Sequence, residues 1–80
     1  MYTDAMRMAF RSLDHYRPKS FGVTIEDNDN FLVIRASEPS FMPLLDEEKR
    51  QAIEYMIRLK KAFEDNGAIV LIVREGGKEL

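Results

Sequence analysis

Residues 68–73 read Ala-Ile-Val-Leu-Ile-Val, an unbroken apolar run that begins directly after Asn66-Gly67. No other feature constrains the fold as tightly. The run is rich in β-branched residues, and it is far shorter than the ~20 residues a helix needs to cross a bilayer. It therefore reads as a β-strand that wants apolar neighbours on both faces. A strand of that kind suits the middle of a sheet, so its place is decided by what precedes it.

Asp46 to Asp65 carries helical periodicity, with Ala52, Ile53, Tyr55, Met56, Ile57, Leu59, Ala62 and Phe63 as its apolar residues. Asp46 is the expected cap, Glu47 and Glu48 suit the positive end of the helix dipole, and Lys60 and Lys61 suit the negative end. Glu54 and Arg58 have the spacing of an i,i+4 ion pair, and Asn66-Gly67 supplies the stop. The apolar sector covers well over half the circumference, which is wide for a helix lying on one sheet. Lys49 and Lys60 fall inside that sector, beside Ile53 and Met56. Their stems either snorkel along apolar surface or present ammonium groups to acidic groups of a partner.

Upstream, Phe21 to Glu26 alternates apolar and polar residues, and Phe31 to Ala36 forms a second apolar strand. Asp27-Asn28-Asp29-Asn30 between them reads as the loop of a hairpin. Residues 2–16 form an amphipathic helix whose stripe holds Tyr2, Ala5, Met6, Ala9, Phe10, Leu13 and Tyr16. Thr3 or Asp4 can cap it, and Arg17-Pro18 ends it. Ser37 to Leu45 contains Pro39 and Pro43 yet also Phe41, Met42, Leu44 and Leu45, so it is expected to pack over an open end of the core.

The expected class is α+β, in the order helix-strand-strand-helix-strand. Two helices pack on one face of a small three-stranded sheet within a single domain, residues 1–75, and residues 76–80 form a flexible tail. The hairpin makes the first two strands neighbours, which pushes the apolar third strand to an edge. An apolar edge strand invites pairing with another chain unless something covers it. We therefore expect a homo-oligomer, most simply a two-fold dimer, with Phe31, Val33, Ile57, Lys60, Ile69, Leu71 and Val73 as its interface. A chain of 80 residues without cysteine also has little else to add to a marginal core.

The element order resembles the second type of KH-like RNA-binding domain. The Gly-x-x-Gly loop that family carries between two helices is missing, and one uninterrupted helix from 46 to 65 occupies its place. No family assignment follows.

Composition narrows the function classes. Zero cysteines exclude a disulfide framework, a thiolate zinc site and a thiol nucleophile, and one histidine excludes a two-histidine metal site within the chain. The residues after Asp27 do not form a calcium loop, since Leu32 and Glu38 stand where glycine and a bidentate glutamate are needed. Gly76-Gly77 lacks the Lys-Ser/Thr of a phosphate loop and leads into no helix. No carboxylate pair signals acid–base work, His15 reads as a helix-end surface residue, and the scattered methionines read as core filler. The expectation is a non-enzymatic chain with no catalytic residue, no metal and no cofactor. Charged residues interrupt any signal-peptide pattern, so the chain is expected to be soluble, cytoplasmic and without a membrane partner.

A net charge of −2 argues against a dedicated nucleic-acid binder. Only His15 to Phe21 interleaves cations with aromatics, as a single-strand surface does. The leading expectation is an interaction or assembly module that binds itself or another protein. The alternative is an accessory protein for RNA or single-stranded DNA, with Arg17, Lys19 and Arg35 as its contacts across an oligomer.

Overall fold

The computed structural model describes residues 2–38 and 44–76. Its elements are α1 (Asp4–Leu13), a 3-10 turn (Asp14–Tyr16), β1 (Gly22–Asn28), β2 (Phe31–Glu38), α2 (Asp46–Asp65) and β3 (Val70–Gly76). The expected class and order are observed. The sheet runs β1-β2-β3, antiparallel between β1 and β2 and parallel between β2 and β3.

Each element shows a local cause. The Thr3 hydroxyl accepts a hydrogen bond from the Met6 backbone N–H at 3.2 Å and caps α1. The capping residue of α2 is Leu45 rather than Asp46, which is the first helical residue; Glu48 reaches back to accept the Leu45 backbone N–H at 3.0 Å. At the far end, the Ala68 N–H bonds to the Phe63 carbonyl and the Gly67 N–H to the Glu64 carbonyl. Gly67 sits at φ +91°, so a glycine is needed for this helix-ending geometry.

Two boundaries differ from expectation. The hairpin connection is two residues rather than four, because Asp27 and Asn28 pair with Leu32 and Phe31 in the ladder. Asp29 takes a left-handed φ of +32°, which a short polar side chain tolerates. β3 also includes Gly76, the first residue of the expected tail, since positions 74–76 align with 36–38 of β2. The expected packing of Phe41 and Met42 and the tail from residue 77 lie outside the described residues.

Both helices lie on one face of the sheet. Leu32, Ile34, Ala36 and Val70 form the floor of the core there, against Met6 from α1 and Ala52, Tyr55, Met56, Leu59 and Phe63 from α2. Burial of Tyr55 pushes its phenol up to about 12, and its hydroxyl has no hydrogen-bond partner among the described residues. Tyr16 departs from the expected core stripe. The helix tightens to a 3-10 turn at Asp14, which shifts the phase and leaves Tyr16 on the surface beside the His15 ring. Arg58, expected to pair with Glu54, instead lies over the Tyr16 ring at 4.2 Å.

Candidate interaction surface

The surface that stands out is built on β3. The Leu32 N–H donates to the Ile69 carbonyl at 2.8 Å, which fixes the phase of the parallel ladder. In that pattern Ile69, Leu71 and Val73 turn their backbone groups toward β2, while Val70 and Ile72 turn theirs to the outer edge. Side chains alternate as well. Val70 and Ile72 align with Leu32 and Ile34 and face the helices, and Leu71 and Val73 align with Val33 and Arg35 and face the other way.

Apolar side chains remain exposed on both sides of this edge. Ile69 is 66% exposed, Leu71 49% and Ile72 43%. On α2, Ile53 and Ile57 are each 61% exposed, one helical turn apart and overhanging the same edge. Between α2 and the sheet lies a cavity of about 380 Å³, lined by Ala36, Met56 and Ile72 among others. Ile53, Ile57, Lys49, Lys60 and Arg74 border it too. Lys60 keeps Glu64 at 3.6 Å on its own helix. Lys49 and Lys60 thus flank apolar surface, as their place in the helical sector requires.

Of the interface residues expected from sequence, Phe31, Val33, Leu71 and Val73 share the face of the sheet away from the helices. Val33 is already buried by its neighbours, whereas Phe31 and Val73 are half-buried. Ile57 and Lys60 lie on the helix side of the same edge, and Ile69 leads into β3. Ile53 and Ile72 were not among the expected contacts. Their signal was present: Ile53 shares the helical sector of Lys49, and Ile72 belongs to the apolar run itself.

Of the residues expected to touch nucleic acid, Arg17 and Lys19 lie between the 3-10 turn and β1, and Arg35 lies on β2. Arg17 is held within its own turn, with Nε on Asp14 at 2.8 Å and a guanidinium nitrogen on the Phe21 carbonyl at 2.8 Å. The hydrogen bond from Arg17 holds the Asp14 carboxyl below its ordinary range. Lys19 is exposed. Arg35 lies on the helix-free face, where its Nε meets Glu26 at 2.8 Å and holds that carboxyl low as well. Among the described residues, no group of three or more His, Asp or Glu side chains is placed to hold a metal ion. No described helix is long and apolar enough to cross a membrane.

A scan against protein-family models, a search of curated proteins and a search of solved structures each returned no match.

Proposed function

We propose that this chain is a non-catalytic assembly module whose activity is to bind protein through the β3 edge, in the first place a second copy of itself. One observation carries the reading: Ile69, Leu71, Ile72, Ile53 and Ile57 are exposed together around a single sheet edge. Scattered exposed apolar residues are ordinary, but several around one strand edge that no described residue pairs with mark an interaction surface. Covering Ile, Leu and Val side chains of this size removes apolar area from water at roughly 25 cal/mol per Å². A specific interface of the usual size buries about 800 Å² on each partner, which an edge strand alone does not reach. The overhanging α2 isoleucines supply the additional contact.

The test is the mass in solution, by size-exclusion chromatography with light scattering over a hundredfold range of concentration. A discrete multiple of 9.3 kDa that dissociates on dilution is the expected result. A monomer of 9.3 kDa at every concentration and at both low and moderate salt would overturn the reading.

A further inference from the structure

We infer that the cavity between α2 and the sheet binds a single-chain anionic amphiphile of the fatty-acid class, its carboxylate between Lys49 and Arg74 and its alkyl chain inside. This goes beyond the proposed self-association and does not depend on it. The cavity holds about 380 Å³, within the usual range of ~300–1,000 Å³ for small-molecule sites. A cavity of ~150 Å³ accepts benzene, so this one has room for roughly a dozen carbon atoms.

The topology decides which end carries the charge. β2 and β3 run parallel, so α2 must return the chain from the C-terminal end of β2 to the N-terminal end of β3. It therefore runs opposite to both strands. Lys49, near the start of α2, lies at the end where Ala36 and Arg74 stand in register. Arg74 continues the alternation of Val70 and Ile72 and so belongs to the helix-facing side. Two cations and the positive end of the helix dipole thus meet at one end of an otherwise apolar cavity. Asp46, Glu47 and Glu48 share that turn but do not line the cavity; Glu47 pairs with Arg50, and Glu48 accepts the Leu45 N–H.

Charge and shape then agree on the ligand. Lys49, Ile53, Ile57 and Lys60 follow one another at helical spacing, a single stripe of α2 about 16 Å long. The stripe puts isoleucines over the middle and a cation at each end. Lys60 already has Glu64 of its own helix at 3.6 Å, which leaves the Lys49 end to recruit an anion. No carboxylate among the described residues lines the cavity. A cation beside apolar surface attracts an anion more strongly than it would in open water. Phe21, Ala52 and Ile72 offer no hydrogen-bonding side chain to a polar body. A sugar or a nucleoside would leave its polar groups unpaired there, at a cost an alkyl chain does not incur.

The probe is decanoate, titrated into the full chain by isothermal calorimetry below its micelle concentration. Saturable binding of one decanoate per chain is the expected result. Octanoate, two methylenes shorter, should bind about tenfold more weakly, because each methylene it lacks is one fewer to bury. Decan-1-ol has the same chain without the charge and should lose about tenfold as well. Replacing both Lys49→Gln and Arg74→Gln should cut decanoate affinity about tenfold and leave decan-1-ol unchanged. Ala52→Leu fills the cavity and should weaken both ligands. If Ala52→Leu does not fold, the charge variant and the chain-length series decide. The absence of saturable decanoate binding would overturn the inference. So would equal affinity for decanoate and decan-1-ol, or an affinity indifferent to chain length. Binding to vesicles of phosphatidylglycerol and phosphatidylcholine without binding of free decanoate would overturn it too, and would assign the cations to a membrane surface.

Discussion

The two edges of the sheet are built from opposite materials. β1 shows Thr24, Glu26 and Asn28 on the helix-free face, and the Tyr2 backbone N–H donates to the Asp27 carboxylate near its end at 2.9 Å. Asn28 and Arg35 both bond to Glu26, adding a further charged cluster beside that strand. β3 shows Leu71 and Val73 on the same face and Ile72 on the other. Charge is an ordinary way in which a sheet refuses a further strand. The β1 edge carries it, while the β3 edge has apolar side chains along its middle. Under the proposed assembly, the uncharged side is the one left for contact.

The largest effect should come from testing the inner and outer donors of β3 against each other. Leu71→Pro removes a donor that serves the β2 ladder and leaves a carbonyl of buried Leu32 unpaired. It should cost about 3 kcal/mol or more in a urea titration, whereas Ile72→Pro should cost far less. Similar losses from the two would mean the ladder phase has been misread.

A core variant far from both edges sharpens the comparison, because it should alter stability without altering mass. Tyr55 titrates near 10 when unfolded and at about 12 when folded. The folded state thus holds its proton longer, and stability falls as pH rises between those values. The loss is on the order of 2–3 kcal/mol. Tyr55→Phe removes this part of the alkaline dependence. It also deletes a buried hydroxyl without a partner among the described residues, so at neutral pH it should be neutral or stabilising by about 1 kcal/mol. A parent-minus-variant stability difference that is flat from pH 9 to 12 would refute the assignment.

Next in size is a matched pair of surface changes. Leu71→Lys should weaken association at least tenfold, about 1.4 kcal/mol, read as a shift of the dilution midpoint. Thr24→Lys, the same charge on the corresponding face of β1, should leave that midpoint in place. Equal effects would erase the distinction between the edges. The smallest change should follow Arg35→Ala. Glu26 has its carboxyl lowered by the hydrogen bond from Arg35, then by that from Asn28. Its contribution is present above the ordinary carboxylate range and is lost as pH falls through the lowered value. The variant should therefore differ from the parent slightly at neutral pH, and by less once the pH falls through that value.

Much of this was legible before any coordinates, for physical reasons. The 3.6 period of Asp46–Asp65, the stop at Asn66-Gly67 and the alternation after Phe21 are local signals, and each produced the element expected. The edge position of the apolar strand followed from the hairpin, since β1 and β2 must be neighbours. What could not be read was set by pairing or by small changes of pitch. Asp27 and Asn28 look like loop residues, but pairing with Leu32 and Phe31 draws them into the strand. Tyr16 has the right phase for a continuous helix, and the 3-10 turn removes it from that phase. The exposure of Ile72 depends on how far α2 overhangs the edge, which no periodicity reports.

The order in which β3 is reached along the chain adds a kinetic consequence. β1 and β2 close across a two-residue connection, a contact formed on the microsecond scale. β3 reaches β2 only through α2, a helix of 20 residues, and so carries the larger loop-closure entropy and the slower search. Until that search ends, the Ala68–Val73 run is bare on every side, a neutral β-branched segment without a gatekeeping charge inside it. Refolding yield should then fall with protein concentration even where the folded state is stable, because one chain's unfinished β3 competes with its own β2 for another chain's.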